Sequence, residues 1–173
     1  MKKVIFIILI QFSGCTAPKS AYQAEDFTCY PKAVYLFRHA EKQVIKGENN
    51  PELTKAGFVR SIALAEAMTD ISAGLIYSSE YARTQQTAAP LAKQWSTDIN
   101  IKTAKDPEAQ VDIALANCNQ HVIIVGHSNT IPNLISLFGV VEAITIEDNQ
   151  YGDLFIIEWQ NAKPQLRIEH VGE

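Results

Sequence analysis

AVYLFRHAEK, residues 33–42, is the stretch from which the fold is read. Ala33 to Phe37 is an unbroken apolar run, short and followed at once by charge, and so reads as a buried strand. Two other stretches repeat the arrangement. Gly74 to Tyr77 runs into Ser78-Ser79-Glu80-Tyr81-Ala82-Arg83-Thr84, and His121 to Val125 runs into Gly126-His127-Ser128-Asn129-Thr130. Helical periodicity lies between them. Thr54 caps a helix whose apolar positions Phe58, Ile62, Ala65 and Met68 recur at helical spacing. Thr84 to Trp95 reads as a second helix, which Pro90 should kink or split. Ile99 to Thr103 is a short strand, and Val111 to Ala116 sits in a third helix. Asn129 caps a fourth, running to about Phe138, with Pro132 in its first turn where a missing N–H costs little. Leu154 to Trp159 and Leu166 to Val171 are strands joined by a turn at Asn161 to Pro164. The alternation implies an α/β fold, a three-layer α/β/α sandwich around a mostly parallel sheet with an antiparallel edge.

The 173 residues suit one domain with a real core. An apolar share of 47% and a charged share of 20% are those of a globular protein. The net charge of -4 argues against a general nucleic-acid binder, although an acidic protein can hold a basic pocket. No internal repeat or low-complexity tract is present.

The amino-terminal segment reads differently. Met1-Lys2-Lys3 is positive, Val4 to Ile10 is apolar, and Phe12-Ser13-Gly14-Cys15 follows. The run is far shorter than the roughly 20 residues of a membrane span and reads as a secretory signal peptide. The small residues before Cys15 resemble the lipobox of bacterial lipoproteins, although Phe12 departs from its usual leucine. That resemblance implies lipidation of Cys15 and, with Thr16 following, an outer-membrane address facing the periplasm. A buried N-terminal strand with an incidental Cys15 is the alternative. The expected organisation is residues 1–15 as signal peptide, 16–30 as tether and 31–173 as the domain.

The three loops RHAEK, SSEYART and GHSNT all follow strands. In open parallel sheets ligands bind at the carboxyl ends of strands, so these loops can converge on one crevice. Two histidines and two arginines meeting there suit a tetrahedral dianion, because guanidinium groups bind phosphate oxygens in pairs. The helix start at Asn129 adds a favourable dipole.

These segments resemble the histidine phosphatase superfamily, which includes the cofactor-dependent phosphoglycerate mutases. Arg38-His39 matches its defining motif, with Ala40 in place of the common glycine. Leu53-Thr54-Lys55-Ala56-Gly57 resembles its Leu-Thr-x-x-Gly segment. Ser78-Ser79 through Arg83-Thr84 and Gln86-Thr87-Ala88 resembles its second motif, and Gly126-His127 its third. The segments run in family order from about Val34 to Asn133, and the strand from Asp153 to Glu158 is also family-like.

The resemblance implies a phosphoric monoester hydrolase with no cofactor and no metal. His39 would be the nucleophile and form a phosphohistidine, Arg38 and Arg83 would clamp the phosphoryl oxygens, and His127 would donate to them. His121 and His170 are the only other histidines, so no metal-ligand cluster suggests itself. The substrate would be a small phosphomonoester or a phosphoprotein. Glu41 and Lys42 read equally well as a solvated ion pair. Glu108, Asp106 and Glu80 are weak candidates for the proton donor. A non-catalytic phosphate- or anion-binding lipoprotein on the same fold is the rival.

Cys29 lies ten residues before His39, and Cys118 lies nine before His127. Both histidines must sit at matching strand ends to share a pocket, so both cysteines fall near the opposite ends. If the two strands are neighbours, as the resemblance implies, a disulfide between Cys29 and Cys118 follows in an oxidising compartment. Two separate buried thiols are the alternative.

Overall fold

The computed structural model describes residues 28–172. The signal peptide, Cys15 and most of the tether therefore lie outside the described residues. The elements run β1 (Ala33–Arg38), α1 (Lys55–Ala67), β2 (Leu75–Ser78), α2 (Ala82–Trp95), β3 (Ile99–Ile101), α3 (Pro107–Leu115), β4 (His121–Gly126), α4 (Thr130–Leu137), β5 (Asp153–Gln160) and β6 (Lys163–His170). One sheet holds all six strands in the order β3-β2-β4-β1-β5-β6. The first four are parallel to one another, and β5 and β6 run antiparallel at one edge.

The unbroken apolar runs have a simple cause. Along β1, Ala33, Tyr35 and Phe37 point into one core, and Val34 and Leu36 into another. Ile123 and Val125 of β4 join the first, with Val122 and Ile124 in the second. Side chains alternate across a strand, so a strand covered on both faces must be apolar at every position. Leu64 and Ala65 of α1, Met68 just after it, and Ala88 and Leu91 of α2 close the first core. Val111, Leu115, Ile131 and Leu134 of α3 and α4 close the second. This is a three-layer α/β/α sandwich.

Three expectations differ from the structure. Thr54 does cap α1, its hydroxyl accepting from Gly57 N at 3.1 Å. Yet Phe58 and Ile62 are 44% and 51% exposed, and the buried face is Gly57, Ser61, Leu64, Ala65 and Met68. Small residues mark this face because the helix lies close to its neighbours. The Ser61 hydroxyl is buried without penalty, since it donates to Phe58 O at 2.7 Å. Pro90 does not split α2, which runs unbroken from Ala82 to Trp95. Ala88, Leu91, Ala92 and Trp95 bury on either side of it, and that packing outweighs one missing hydrogen bond. The third strand is also shorter than expected, ending at Ile101.

Asn161 and Ala162, both at positive φ, join β5 to β6 in a tight two-residue hairpin. At the opposite end of the central strands, Cys29 and Cys118 are joined by a disulfide with Cα atoms 5.4 Å apart. β1 and β4 are in-register neighbours, Ala33 beside His121, so the residues preceding them meet. Tyr30, at the end of the expected tether, stacks on Trp159 with ring centroids 5.1 Å apart.

Candidate active site

The sheet register assembles the site. Arg38 pairs with Gly126 across β1 and β4, and Ser78 pairs with Val125 across β2 and β4. The residues next in sequence, His39, Ser79 and His127, therefore leave three adjacent strands at one level. Arg83 comes from the first turn of α2. Arg38, His39, Arg83 and His127 line one cavity of about 330 Å³, together with Lys42, Tyr81, Lys105, Asp148 and the start of α4. The sequence reading named the first four, and the fold brings them together.

The loops are braced by the motif residues around them. Thr87 Oγ1 accepts from Ala40 N at 2.9 Å and donates to Arg83 O at 2.7 Å, which ties the His39 loop to α2. Gln86 Oε1 accepts from Leu53 N at 2.8 Å. Gly57 lies against the loop so closely that a Cβ there would overlap the Glu41 carbonyl oxygen. Glu41 itself is no solvated charge. Arg60 donates to both its oxygens, at 2.8 to 3.1 Å, and the pair is largely shielded from water. Burial pushes the Glu41 carboxyl up, but the Arg60 fork outweighs it and the net shift is downward.

Both histidines have a defined proton. His39 Nδ1 lies 2.8 Å from Ala40 O, and a carbonyl can only accept, so Nδ1 carries the hydrogen. Its Nε2 lone pair meets no donor among the described residues. Burial holds His39 down at about 3, with His127, Arg83 and Arg38 adding to the effect and the Ala40 bond opposing it. The ring is neutral near pH 7. Around His127 two hydroxyls fix the place of the proton. Thr84 Oγ1 donates to Tyr81 O at 2.8 Å, which uses its single hydrogen. Ser79 Oγ, 2.8 Å from Thr84 Oγ1, must then donate to it. Ser79 Oγ is left to accept from His127 Nε2 at 2.9 Å. His127 Nδ1 accordingly carries a lone pair, with Arg83 Nη2 at 3.5 Å. Burial and then Arg83 hold His127 down at about 4, against the pull of Glu80.

The arginines are positioned by groups that sequence reasoning missed. Arg38 Nη1 donates to Glu147 O and Gln150 O, both at 2.7 Å, and Nη2 donates to Asp148 O at 3.1 Å. The Tyr151 ring packs on the Arg38 guanidinium at 4.2 Å, and the Tyr81 ring on that of Arg83 at 4.4 Å. Residues 147–151 carry no motif, and only the fold reveals their role. Tyr81 stood within a quoted motif beside Arg83, and an aromatic two residues from an arginine was the available signal. Three buried guanidinium nitrogens have no acceptor among the described residues: Arg38 Nε, Arg83 Nε and Arg83 Nη1. Buried N–H groups are seldom left so, and each unmet one costs about 1 to 3 kcal/mol. An anion in the cavity fits them.

The carboxylates considered as proton donors are occupied elsewhere. Asp106 caps α3, accepting from Ala109 N at 3.0 Å, and Glu108 sits in the first turn of that helix. Glu80 accepts from Ala104 N at 2.9 Å. Slight burial pushes Glu80 up, but the N–H groups of Glu80 and Ala104 and the Thr103 hydroxyl outweigh it, so it stays a carboxylate. None of the three lines the cavity, whereas Asp148 does. Asn129 stands at the α4 N-cap position but makes no side-chain capping bond, and its side chain borders the cavity. Among the described residues no group of three or more His, Cys, Asp or Glu side chains is arranged to hold a metal.

Residues 34–106 match the model of the histidine phosphatase superfamily (branch 1). No curated protein sequence matches the chain. Several solved structures are similar to it. SixA from Agrobacterium tumefaciens, a candidate phosphohistidine phosphatase, is 22% identical with a TM-score of 0.60, over 83% of this chain and 99% of that one. A mycobacterial glucosyl-3-phosphoglycerate phosphatase, solved with inorganic phosphate, is 13% identical with a TM-score of 0.59, over 80% and 95% of the two chains. A phosphoserine phosphatase from Entamoeba histolytica, solved with 3-phosphoglyceric acid, is 14% identical with a TM-score of 0.61, over 82% and 97%. Residues 34–106 are thus similar in sequence to the histidine phosphatase superfamily, and the chain shares the fold of these solved structures.

Proposed function

We propose that the protein is a phosphatase that works through a phosphohistidine on His39. The observation that carries this reading is the cradle of unmet guanidinium N–H groups beside a neutral imidazole whose Nε2 lone pair meets no donor among the described residues. The Nε2 lone pair attacks phosphorus as the bond to the leaving oxygen breaks. Arg38 and Arg83 hold the non-bridging oxygens throughout, so positioning and electrostatics supply most of the catalysis. His127 enters neutral. A dianion beside its Nδ1 raises its pKa from about 4, so that it takes up a proton and donates it to a phosphoryl oxygen as charge builds. The leaving oxygen takes a proton from water. Water then attacks the phosphohistidine, the P–N bond breaks, and neutral His39 returns with release of inorganic phosphate. The guanidinium charges stand where a metal would otherwise be needed, so the reading is of a metal-independent enzyme.

The setting belongs to the same proposal. A disulfide persists where glutathione does not reduce it, which supports export and, with the lipobox-like Phe12 to Cys15, a lipid-anchored periplasmic location. Hydrolysis of an aryl phosphate by the purified domain, abolished in His39→Ala, is the expected result. Phosphate binding without turnover would instead leave an anion-binding protein.

A further inference from the structure

β6 ends the sheet, and among the described residues no strand pairs with its outer side. A bare edge carries unpaired N–H and C=O groups and is a template for another strand. Which groups it bares follows from the pairing with β5. Asp153 stands opposite His170, and one step beyond them Val171 N donates to Gly152 O at 2.7 Å. Hydrogen-bonded pairs alternate along an antiparallel ladder, so Glu169, Arg167, Gln165 and Lys163 turn their backbone groups inward to β5. Pro164, Leu166, Ile168 and His170 turn theirs outward. Pro164 agrees with this, because a residue with no N–H is tolerated where that group would face away from the sheet.

A second copy of β6 can pair antiparallel about a two-fold axis, which presents the same strand from both sides. Outward residues must meet outward residues, so the axis passes through a residue and not between two. Centred on Leu166, the strand sets Pro164 against Ile168 and loses hydrogen bonds where the N–H is missing. Centred on Arg167 or Glu169, it sets like charges directly opposite, which destabilises. Centres nearer either end pair fewer residues. Centred on Ile168, it sets Leu166 against His170 and Ile168 against itself. That register completes roughly six backbone hydrogen bonds and leaves Pro164 outside them.

The side chains suit the same register. On the other face of the strand, Arg167 stands across from the second copy's Glu169, and the reverse pair repeats it. Within one copy Arg167 already pairs with Glu169, so the charges alternate in sign around the axis. Opposite charges facing across strands stabilise the pairing. Ile168, 48% exposed in one copy, is covered by its counterpart. Charges on an edge strand commonly guard it against pairing, whereas these are complementary to themselves.

We infer that β6 is a self-association edge, pairing with a second copy of this chain about a two-fold axis at Ile168. No β6 residue lines the active-site cavity, so turnover is not the readout. At about 50 µM, sedimentation equilibrium of the purified protein should give twice the mass of one chain. Ile168→Lys, at an exposed position, should weaken association about tenfold or more while the circular dichroism stays unchanged. Arg167→Glu should weaken it as well, and Arg167→Glu/Glu169→Arg should recover it. With oxidised glutathione, Ile168→Cys should give a covalent dimer, since hydrogen-bonded partners have Cα atoms about 5.5 Å apart, within disulfide reach. Gln165→Cys, remote from its counterpart in this register, should not. A monomer at that concentration, or a dimer indifferent to Ile168→Lys, overturns the inference. So does a charge swap that fails to recover association, or Gln165→Cys crosslinking as readily as Ile168→Cys.

Discussion

His127 receives its hydrogen-bonding role from a hydroxyl that does not line the cavity. Thr84 commits its hydrogen to a carbonyl, Ser79 must then donate to Thr84, and His127 must donate Nε2–H to Ser79. Ser79 is thus a positioning residue. Ser79→Ala should leave a buried imidazole N–H unmet and its tautomer free, at a cost of about 1 to 3 kcal/mol, or roughly 5- to 150-fold in kcat/KM. A shifted pH profile would distinguish this from loss of packing. The profile of the unsubstituted enzyme is itself informative. In the proposed mechanism His39 must be neutral to attack, and burial holds it at about 3, below the ordinary value near 6.5. Lowering the pH from 7 to 5 should therefore leave the nucleophile active, once the substrate's own ionisation is corrected for. An acid limb with a pKa near 6.5 would show His39 to be ordinarily solvated. In Ser79→Ala, with His127 no longer held in one tautomer, the limb assigned to His127 should move.

At the scale of elements, Gly57 reverses a general rule. Alanine in place of glycine inside a helix usually stabilises by about 1 kcal/mol. Here the added methyl meets the backbone of the His39 loop, which cannot swing away as a side chain would. Gly57→Ala should lower stability by about 1 to 3 kcal/mol and reduce kcat, measured by chemical unfolding and turnover. Stabilisation with full activity would mean the loop gives way freely. Glycine here marks close approach, and that is why the Leu-Thr-x-x-Gly segment was legible before its reason was. Other parts were legible in the same way: runs of β-branched and aromatic residues gave β1 and β4, and strand–loop motifs gave Arg38, His39, Arg83 and His127. What stayed hidden had no local pattern. The exposure of Phe58 and Ile62 depends on which side of α1 meets a neighbour, and periodicity cannot choose between two half-apolar faces. The hold of residues 147–150 on Arg38 is made by backbone carbonyls, to which any side chains could be attached. Pro90 shows the opposite case, a local signal for splitting the helix overruled by packing on both sides.

The whole molecule is pinned at the end of the sheet remote from chemistry. The disulfide spans 89 residues and ties the segments leading into β1 and β4, the strands that His39 and His127 directly follow. In the chain-entropy picture such a closure contributes about 4 to 5 kcal/mol. Reduction, or Cys29→Ser/Cys118→Ser, should lower the unfolding midpoint markedly. Indifference to reductant would mean the sheet alone fixes the register. The buried histidines act on stability as well. Their folded pKa values, about 3 and about 4, lie below the unfolded value near 6.5. As pH falls from about 6.5, unfolded chains take up protons that the folded protein does not, so stability declines through that window.

The destination of the phosphoryl group tests the proposed phosphohistidine most directly. Mixing the enzyme with a labelled phosphomonoester and quenching without acid should trap a phosphoprotein that is stable to alkali and labile to acid. Peptide mapping should place the label on His39. A label on a serine, or full turnover by His39→Ala, would contradict it.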